Sequence, residues 1–365
     1  MANPKIEITT TTSSPAVVPA GRVVIGLVGT ATTGATEAVG SMKLLSNASQ
    51  AGYGSTGTIP QALAGIAANA NTHVIVVRVQ DTPNEAQLVA GIVQLETAEG
   101  AFGERPDFIM CPGFTWDGGS SPTNASSGVV TQLESTAEKL TSIAIVAARP
   151  GTVAQAKSWA GNNRGNRIFA VFPHIIPVGS STAVDPAPYV AGSLSRYPLT
   201  VNPHWKNILG IKSLDPAISF SPRDTAGSDS NLLQTDLITA IVQHIGYHLF
   251  GSRLLLSTTS TEATRFMNIR RVVDDIDRHL TNASLGAWGR NVTSAFFDDV
   301  VNSVQNVIDA LVAGEALRTG STVTKHPSKN TPTALAAGQV YFAVTLRTVF
   351  PVQEINFDVV INTDN

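Results

Sequence analysis

The stretch Gly29-Thr-Ala-Thr-Thr-Gly34-Ala-Thr36 comes within one residue of the phosphate-cradling pattern G-x-x-x-x-G-K-[ST]. In that pattern backbone amides hold the phosphates and a lysine reaches the terminal ones. The lysine position is Ala35 here, so the loop lacks that charge and reads as a strand-to-loop turn of small residues. His244 and His248 have the i, i+4 spacing that puts two imidazoles on one helix face, a metal-binding arrangement. The metalloprotease motif needs a glutamate after the first histidine, and Ile245 occupies that position. The segment also reads as strand broken by Gly246, which separates the rings. Asp274, Asp275 and Asp277, like Asp298 and Asp299, have the spacing of paired acids or a cation site. Beside Arg270, Arg271 and Arg278 on helix surfaces they read instead as solvated or intermolecular ion pairs. There is no Gly-x-Ser-x-Gly elbow, and Cys111 ends an apolar strand, where a buried, inert thiol is expected. These residues assign no catalytic, cofactor or metal site.

The elements around them alternate. Arg22–Gly29, Val74–Val79, Asp107–Cys111, Ser142–Ala147 and Arg167–Phe172 are short apolar runs rich in β-branched residues. Between the later ones lie Pro60–Asn69, Glu85–Leu95, Ser126–Lys139 and Thr152–Asn162, each long enough for a helix. Continuous apolar strands separated by helices predict a parallel-rich sheet covered on both faces, with right-handed crossovers. Gly113–Gly128 and Pro173–Pro188 read as loops. Further on, an apolar run ends in Leu254, Leu255 and Leu256, and a Ser/Thr cluster follows. The next helix has Phe266, Ile269, Val272, Val273, Ile276 and Leu280 at three- and four-residue steps. Ser260 or Thr261 is suited to cap it, and Arg265, Arg270, Arg271, Asp274, Asp275 and Asp277 form its polar face. A second helix, Val292–Val312, lines one face with Phe296, Phe297, Val300, Val304, Val307, Ile308 and Leu311, and Gly314 is its stop. Ser321–His326 and Gln339–Phe350 read as strands around a Pro/Ala loop.

Both ends carry short alternating strands. Ile6 and Ile8 face one way at the start, ahead of an extended lead-in with Pro15 and Pro19. Ile355, Phe357, Val359 and Ile361 do so at the end. Such strands need somebody's sheet to join. The fold expected is therefore α/β: a parallel-rich sheet domain with flanking helices, a compact α+β C-terminal domain, and extended N- and C-terminal strand arms. The expected boundaries are an arm at 1–20, an outer domain at 21–200, a C-terminal domain at 201–350 joined by part of 21–35, and an arm at 351–365.

Composition narrows the functional classes. The 365 residues are 43% hydrophobic and only 14% charged, with 30 glycines and 20 prolines, which predicts many turns and much neutral surface for self-association. A formal net charge of -3 gives no reason to expect nucleic-acid contact. One cysteine excludes an intrachain disulfide framework and a Cys-based zinc cluster. No apolar run approaches the ~20 residues that span a bilayer, and the polar first residues predict no signal peptide.

Two stretches carry a family likeness. Gly251-Ser-Arg, the Ser/Thr-rich turn, and then Arg265-Phe-Met-Asn-Ile-Arg-Arg271 opening a long helix resemble the contractile tail sheath proteins of bacteriophages and related bacteriocin particles. Upstream, Val201-Asn-Pro-His-Trp-Lys-Asn-Ile-Leu-Gly-Ile211 is similar to that family's Pro-x-x-x-Asn-x-x-x-Gly-Ile signature, one residue shorter between Asn207 and Gly210 and with His204 and Trp205 in place of the usual small residues. The resemblance is clearest from Pro203 onward. It implies a non-enzymatic structural subunit that polymerises as stacked hexameric rings, linked by exchanged arms, around an inner tail tube. It further implies contraction without nucleotide, partners in the tube, baseplate and tail terminator proteins, and a place in a virion tail assembled in the host cytoplasm. The C-terminal domain would face the tube through one of the two long helices, with Arg270, Arg271 and Arg318 as the charges on offer. The competing expectation is an α/β enzyme or nucleotide-binding domain using the Gly29–Thr36 loop.

Overall fold

The structure is a computed structural model, and it describes residues 23–48, 52–116, 127–198, 200–224, 227–256, 264–285 and 290–352. The terminal strand residues Ile6, Ile8, Ile355, Phe357, Val359 and Ile361, and the capping candidates Ser260 and Thr261, lie outside them. The described chain divides into two compact units, residues 23–274 with 350–352, and residues 275–349.

In the first unit the order is β1 (Val24–Gly29), β2 (Met42–Leu45), α1 (Thr58–Ala67), β3 (His73–Arg78), α2 (Glu85–Gln94) and, after a 3-10 turn, α3 (Ala98–Phe102). Then follow β4 (Phe108–Met110), α4 (Gly128–Leu140), β5 (Ile143–Ala147), α5 (Val153–Asn162), β6 (Ile168–Phe172), β7 (His174–Pro177) and α6 (Ala187–Leu194). The unit continues through β8 (Asn207–Ile208), β9 (Ile211–Asp215), α7 (Asp229–Thr235), β10 (Thr239–Gln243) and β11 (Tyr247–Phe250). It ends inside α8 (Met267–Leu285).

One nine-stranded sheet has the order β2-β3-β1-β4-β5-β6-β10-β11-β8. The strands from β3 to β10 in that order are parallel, and β2, β11 and β8 pair antiparallel at the edges. A parallel sheet must be covered on both faces, and the core accordingly splits into two clusters. Ile59, Leu63 and Ile66 of α1 and Val190 of α6 cover one face, packed on Ile25, Leu27, Val76 and Ile145. Leu88 and Ile92 of α2, Leu133 and Ala137 of α4, and Trp159 of α5 cover the other, over Val28, Val77, Ile109 and Val146. The β1–α1–β3 and β3–α2–β4 crossovers run in opposite directions across the sheet, and right-handed connections put their helices on opposite faces. Side chains cap the helices: Asn84 and Thr152 form full capping boxes with Gln87 and Gln155.

The 203–211 signature has physical roles here. Gly210 has φ +82°, and a Cβ there would sit 3.0 Å from Ala68 Cβ and 3.2 Å from the Tyr189 ring. Asn69 holds the same strand end, accepting from Leu209 N–H at 2.8 Å and donating to the Leu209 carbonyl at 3.2 Å. Trp205 also takes a positive φ of 62°.

In the second unit, the C-terminal half of α8 is followed by α9 (Ser294–Ala313), β12 (Thr322–Lys325), α10 (Pro332–Ala336) and β13 (Phe342–Thr345). Thr293 caps α9 by accepting from Phe296 N–H, and Phe296, Phe297, Val300, Val304 and Ile308 are its buried face. β12 and β13 pair antiparallel as a two-stranded sheet.

The observed division differs from the boundary expected near residue 200. β8, β10 and β11 extend the same sheet that β1 begins, so residues 201–274 pack with the preceding unit. Pro173–Pro188, expected as loop, contains β7, which pairs with β9 in a separate ladder, and the start of α6. The long strand expected over Gln339–Phe350 is only Phe342–Thr345, and the Pro/Ala loop holds α10.

α1 and α6 approach so closely that Gly192 has no room for a side chain, its built Cβ falling 2.9 Å from the Ile66 carbonyl oxygen. Gly192→Val should therefore cost about 1–3 kcal/mol through overpacking. Urea denaturation should show it as a lower midpoint at unchanged slope. An unchanged midpoint would mean that these helices are not in contact.

Candidate functional site

The Gly29–Thr36 loop does not lead into a helix, as a phosphate loop must. β2 and a turn intervene before α1 opens at Thr58. Its amides are also spent at home. Thr30 N–H donates to Thr58 Oγ1 at 3.0 Å, Thr32 N–H to the Thr56 carbonyl at 2.9 Å, and Thr33 N–H to Thr56 Oγ1 at 3.0 Å. Ala35 N–H donates to the Thr32 carbonyl at 3.2 Å and Thr36 N–H to that of Gly52 at 2.9 Å. Amides already bonded to the protein's own oxygens have little to offer a phosphate.

His244 and His248 flank the β10–β11 hairpin, with Ile245 (φ 48°) and Gly246 (φ 112°) between them and the Ile245 side chain 94% exposed. Their company is aromatic. Trp205 stacks on His248 with centroids 4.9 Å apart and planes 14° apart, and lies 5.9 Å from His244. Phe220 and Phe250 complete the cluster. His204 is fixed by accepting from Gly251 N–H at 3.1 Å, and burial lowers its pKa. So the two residues that depart from the signature are bound to this hairpin. Among the described residues no group of three or more His, Cys, Asp or Glu side chains could hold a metal ion. Cys111 is buried, and burial pushes its thiol pKa far up.

The start of α8 departs from the expected polar face. Arg271 is only 6% exposed and its guanidinium lies 4.6 Å from the Phe108 ring centre. Asp274 is buried and receives a bidentate pair from Arg167, Nη1 at 2.7 Å and Nη2 at 2.9 Å. Arg167 also donates to Glu138 and to the Ser142 carbonyl. The paired carboxylates raise its pKa against the opposing effect of burial. Arg270 remains at the rim of this network, 3.4 Å from Glu138 Oε2 and 3.6 Å from Asp274 Oδ1. Arg167 was the missing signal. It stands at the mouth of β6, and nothing in the helix's own periodicity shows that it points at Asp274.

In the second unit Arg318 is exposed in the turn before β12, with its backbone N–H on the Arg347 carbonyl at 2.7 Å. α9 grips β12 through Gln305, which accepts from Val323 N–H at 3.0 Å and donates to the Ser321 carbonyl at 3.3 Å. Among the described residues no further strand pairs with either β12 or β13. Of the acid pairs, Asp299 bonds Arg290 at 2.6 Å on the surface, and Asp275 lies 3.8 Å from His279.

The sequence passed over His174 and Asp185, in the stretch expected to be loop. They line a cleft of about 170 Å3 beyond the carboxyl ends of β1 and β4, with Thr58, Gly113 and Trp116. Thr115 is pinned between the Trp159 indole N–H at 3.0 Å and the Ala147 carbonyl at 2.8 Å, which sets the adjacent Trp116 edge-on to His174 at 4.9 Å. His174 is 6% exposed, neither ring nitrogen has a hydrogen-bond partner, and burial lowers its pKa to about 4. Asp185 accepts from Gly113 N–H at 2.9 Å and Ala187 N–H at 2.8 Å, while burial raises its pKa to about 6.

Comparisons with known proteins agree on one relationship. No protein-family model matches the chain. A curated protein of Pseudomonas aeruginosa (strain UCBPP-PA14), described as a putative prophage major tail sheath protein, is 27% identical over 277 residues, 74% of this chain and 68% of that one. Among solved structures, the sheath complex of the extracellular contractile injection system PVC in its contracted state matches with TM-score 0.73 and 14% identity, over 100% of this chain and 98% of that one. The contracted helical sheath of the anti-feeding prophage matches with TM-score 0.70 and 15% identity over the whole of both chains. A sheath tail protein of Desulfitobacterium hafniense matches with TM-score 0.61 and 8% identity, over 96% of this chain and 100% of that one. The resemblance to tail sheath proteins thus holds in sequence with one relative and in fold with several. It supports a structural role in a phage-like tail sheath.

The two desolvated cleft groups have opposite linkage to pH. Asp185, with its folded pKa raised, gains stability as pH falls from above 6 toward its unfolded value. His174, with its folded pKa lowered, loses stability as pH falls from 6.5 toward 4. Each masks the other in the parent. Asp185→Asn should make stability fall more steeply between pH 7 and pH 5, and His174→Phe less steeply, in urea midpoints measured at both. Parallel slopes in all three proteins would show that the fold does not desolvate these groups.

Proposed function

We propose that this chain is the repeating subunit of a contractile tail sheath. It polymerises as stacked hexameric rings around an inner tail tube and contracts to drive the tube through a bacterial envelope. The observation that carries this reading is the correspondence of the whole chain with sheath subunits of contractile injection systems. The similarity to a chain in the anti-feeding prophage baseplate structure supports contact with a baseplate as well as with further copies. Tube and terminator proteins are the remaining partners, and the particle assembles in the host cytoplasm. The rival reading, a nucleotide-binding enzyme using the Gly29–Thr36 loop, has its amides already committed and its lysine missing.

Polymerisation proceeds by strand exchange. A two-stranded sheet is marginal by itself, and β12–β13 is a ladder to which further strands can add. The terminal segments with Ile6 and Ile8, and with Ile355, Phe357, Val359 and Ile361, supply those strands from neighbouring subunits. Each such side chain buried gives ~1.5–3 kcal/mol, against ~1–2 kcal/mol of backbone ordering per residue. That near balance makes one arm weak and a lattice of them strong. A head-to-tail contact of this kind does not close, and so it builds a helix. The tube contact falls to the C-terminal domain. Arg318 is the best placed of the three arginines, being exposed, whereas Arg270 and Arg271 are engaged at the start of α8.

Negative-stain images of the purified chain should show helical tubes. Deleting residues 1–14, or Phe357→Asp, should leave folded monomers that form none; normal tubes from either variant would exclude arm exchange. Arg318→Glu should leave self-assembly intact and weaken co-assembly with tube protein by about tenfold or more. Unchanged tube binding would put that contact elsewhere.

A further inference from the structure

The cleft beside Asp185 lies at a particular place in the fold. Strand order reverses between β1, which neighbours β3 on one side, and β4 on the other. In open α/β sheets the crevice beyond the carboxyl ends at such a reversal is where the backbone leaves room for a ligand. Thr58 comes from the connection after β1, and Pro112 and Gly113 follow β4, so the cleft occupies that crevice.

Its lining selects the ligand's chemistry. Asp185 is a half-buried residue whose two carboxylate oxygens each take one backbone N–H, and among the described residues it has no ion-pair partner. A desolvated carboxylate without a cation is costly, and one opposite charge relieves it. Among the described residues no lysine or arginine lines the cleft, so they offer an anion no counter-charge. His174 offers two ring nitrogens with no partner in the protein, and one of them accepts when the ring is neutral. Trp116 adds an aromatic surface. A metal ion would need more oxygen or nitrogen ligands than the described residues bring together here. An ammonium is compact and strongly hydrated, whereas a guanidinium is flat, weakly hydrated, stacks on aromatic rings and carries several in-plane donors.

We infer that this cleft binds a guanidinium group, with its N–H donors on Asp185 and His174 and its plane against Trp116. Two sources can present that group, an arginine side chain of a second copy of this chain or a free small molecule. Only the choice between them rests on the polymer proposed above.

The test uses the full chain carrying Phe357→Asp, which keeps it monomeric, labelled with 5-fluorotryptophan and followed by 19F NMR, the Trp116 line being assigned with Trp116→Phe. Titration with ethylguanidinium chloride should move that line saturably. Ethylammonium chloride at equal ionic strength should bind at least about tenfold more weakly. Asp185→Asn should weaken ethylguanidinium binding by a similar factor. Because that variant also disturbs two backbone bonds, Ala183→Phe at the half-buried rim is the second arm, and it should abolish the saturable shift while leaving the Asp185 contacts alone. A Trp116 line that does not move, moves equally with both cations, or still titrates in Ala183→Phe overturns the inference. These measurements are made on the monomer, so their failure leaves the sheath reading standing. Pelleted polymer then separates the sources. Exclusion of ethylguanidinium from the polymer identifies a neighbour's arginine as occupant, and undiminished binding identifies a free ligand.

Discussion

A parallel sheet with two apolar faces cannot leave either one in water, and most of the first unit follows from that. Val24–Gly29 is buried along its whole length, as are Ile143–Ala147 and Ile168–Phe172. Covering both faces needs helices on both sides, and right-handed crossovers can deliver them only if the winding direction reverses once. The reversal at β1 and β4 therefore comes with the architecture, and so does the crevice above it. Close contact is the corresponding cost on the α1–α6 side, where Gly65 and Gly192 leave space for the Tyr189 ring and the Ile66 backbone.

The buried pair of Arg167 and Asp274 adds a different kind of order. Desolvating two charges offsets much of their attraction, so the pair is a weak source of net stability, yet removing one partner strands the other at about 3–5 kcal/mol. The geometry is directional: two parallel N–H bonds to one carboxylate fix the rotation of the helix carrying Asp274. With Arg271 lying on the Phe108 ring, the first turns of α8 are set by polar side chains as much as by Ile269 and Val272. A hydrophobic stripe tolerates small rotations, whereas a bidentate pair does not.

The second unit shows the opposite economy. Its two-stranded sheet is held mainly through α9, by Gln305 on the β12 backbone and by Phe297 5.6 Å from Phe342. Apart from Val323, the residues of β12 and β13 are at least partly exposed. A ladder so lightly covered suits a fold that completes its sheet with strands from other copies. The sheath reading and the physical one meet there.

Much of this was legible in the residues. The β-branched runs and the helical segments between them place β1, β3–β6, α1, α2, α4 and α5 within a few residues, because burial on both strand faces leaves an unbroken apolar signature. α8 and α9 follow from their period, and the Gly29–Thr36 loop lacks its lysine in the sequence itself. The family likeness also rested on residues alone, at Gly251–Arg271 and Pro203–Ile211. Other features depend on partners far away in the chain. β7 is a strand only because β9 comes alongside, and residues 201–274 join the first unit only because β10 pairs with β6. Arg271 and Asp274 read as a polar helix surface until Phe108 and Arg167 arrive at their positions. Asp185 and His174 looked like loop residues and became the floor of a cleft. Local sequence sets which side chains prefer water and at what period. Which charge meets which counter-charge is decided by pairings more than 100 residues apart, as for Arg167 and Asp274, and those exist only once the chain has folded.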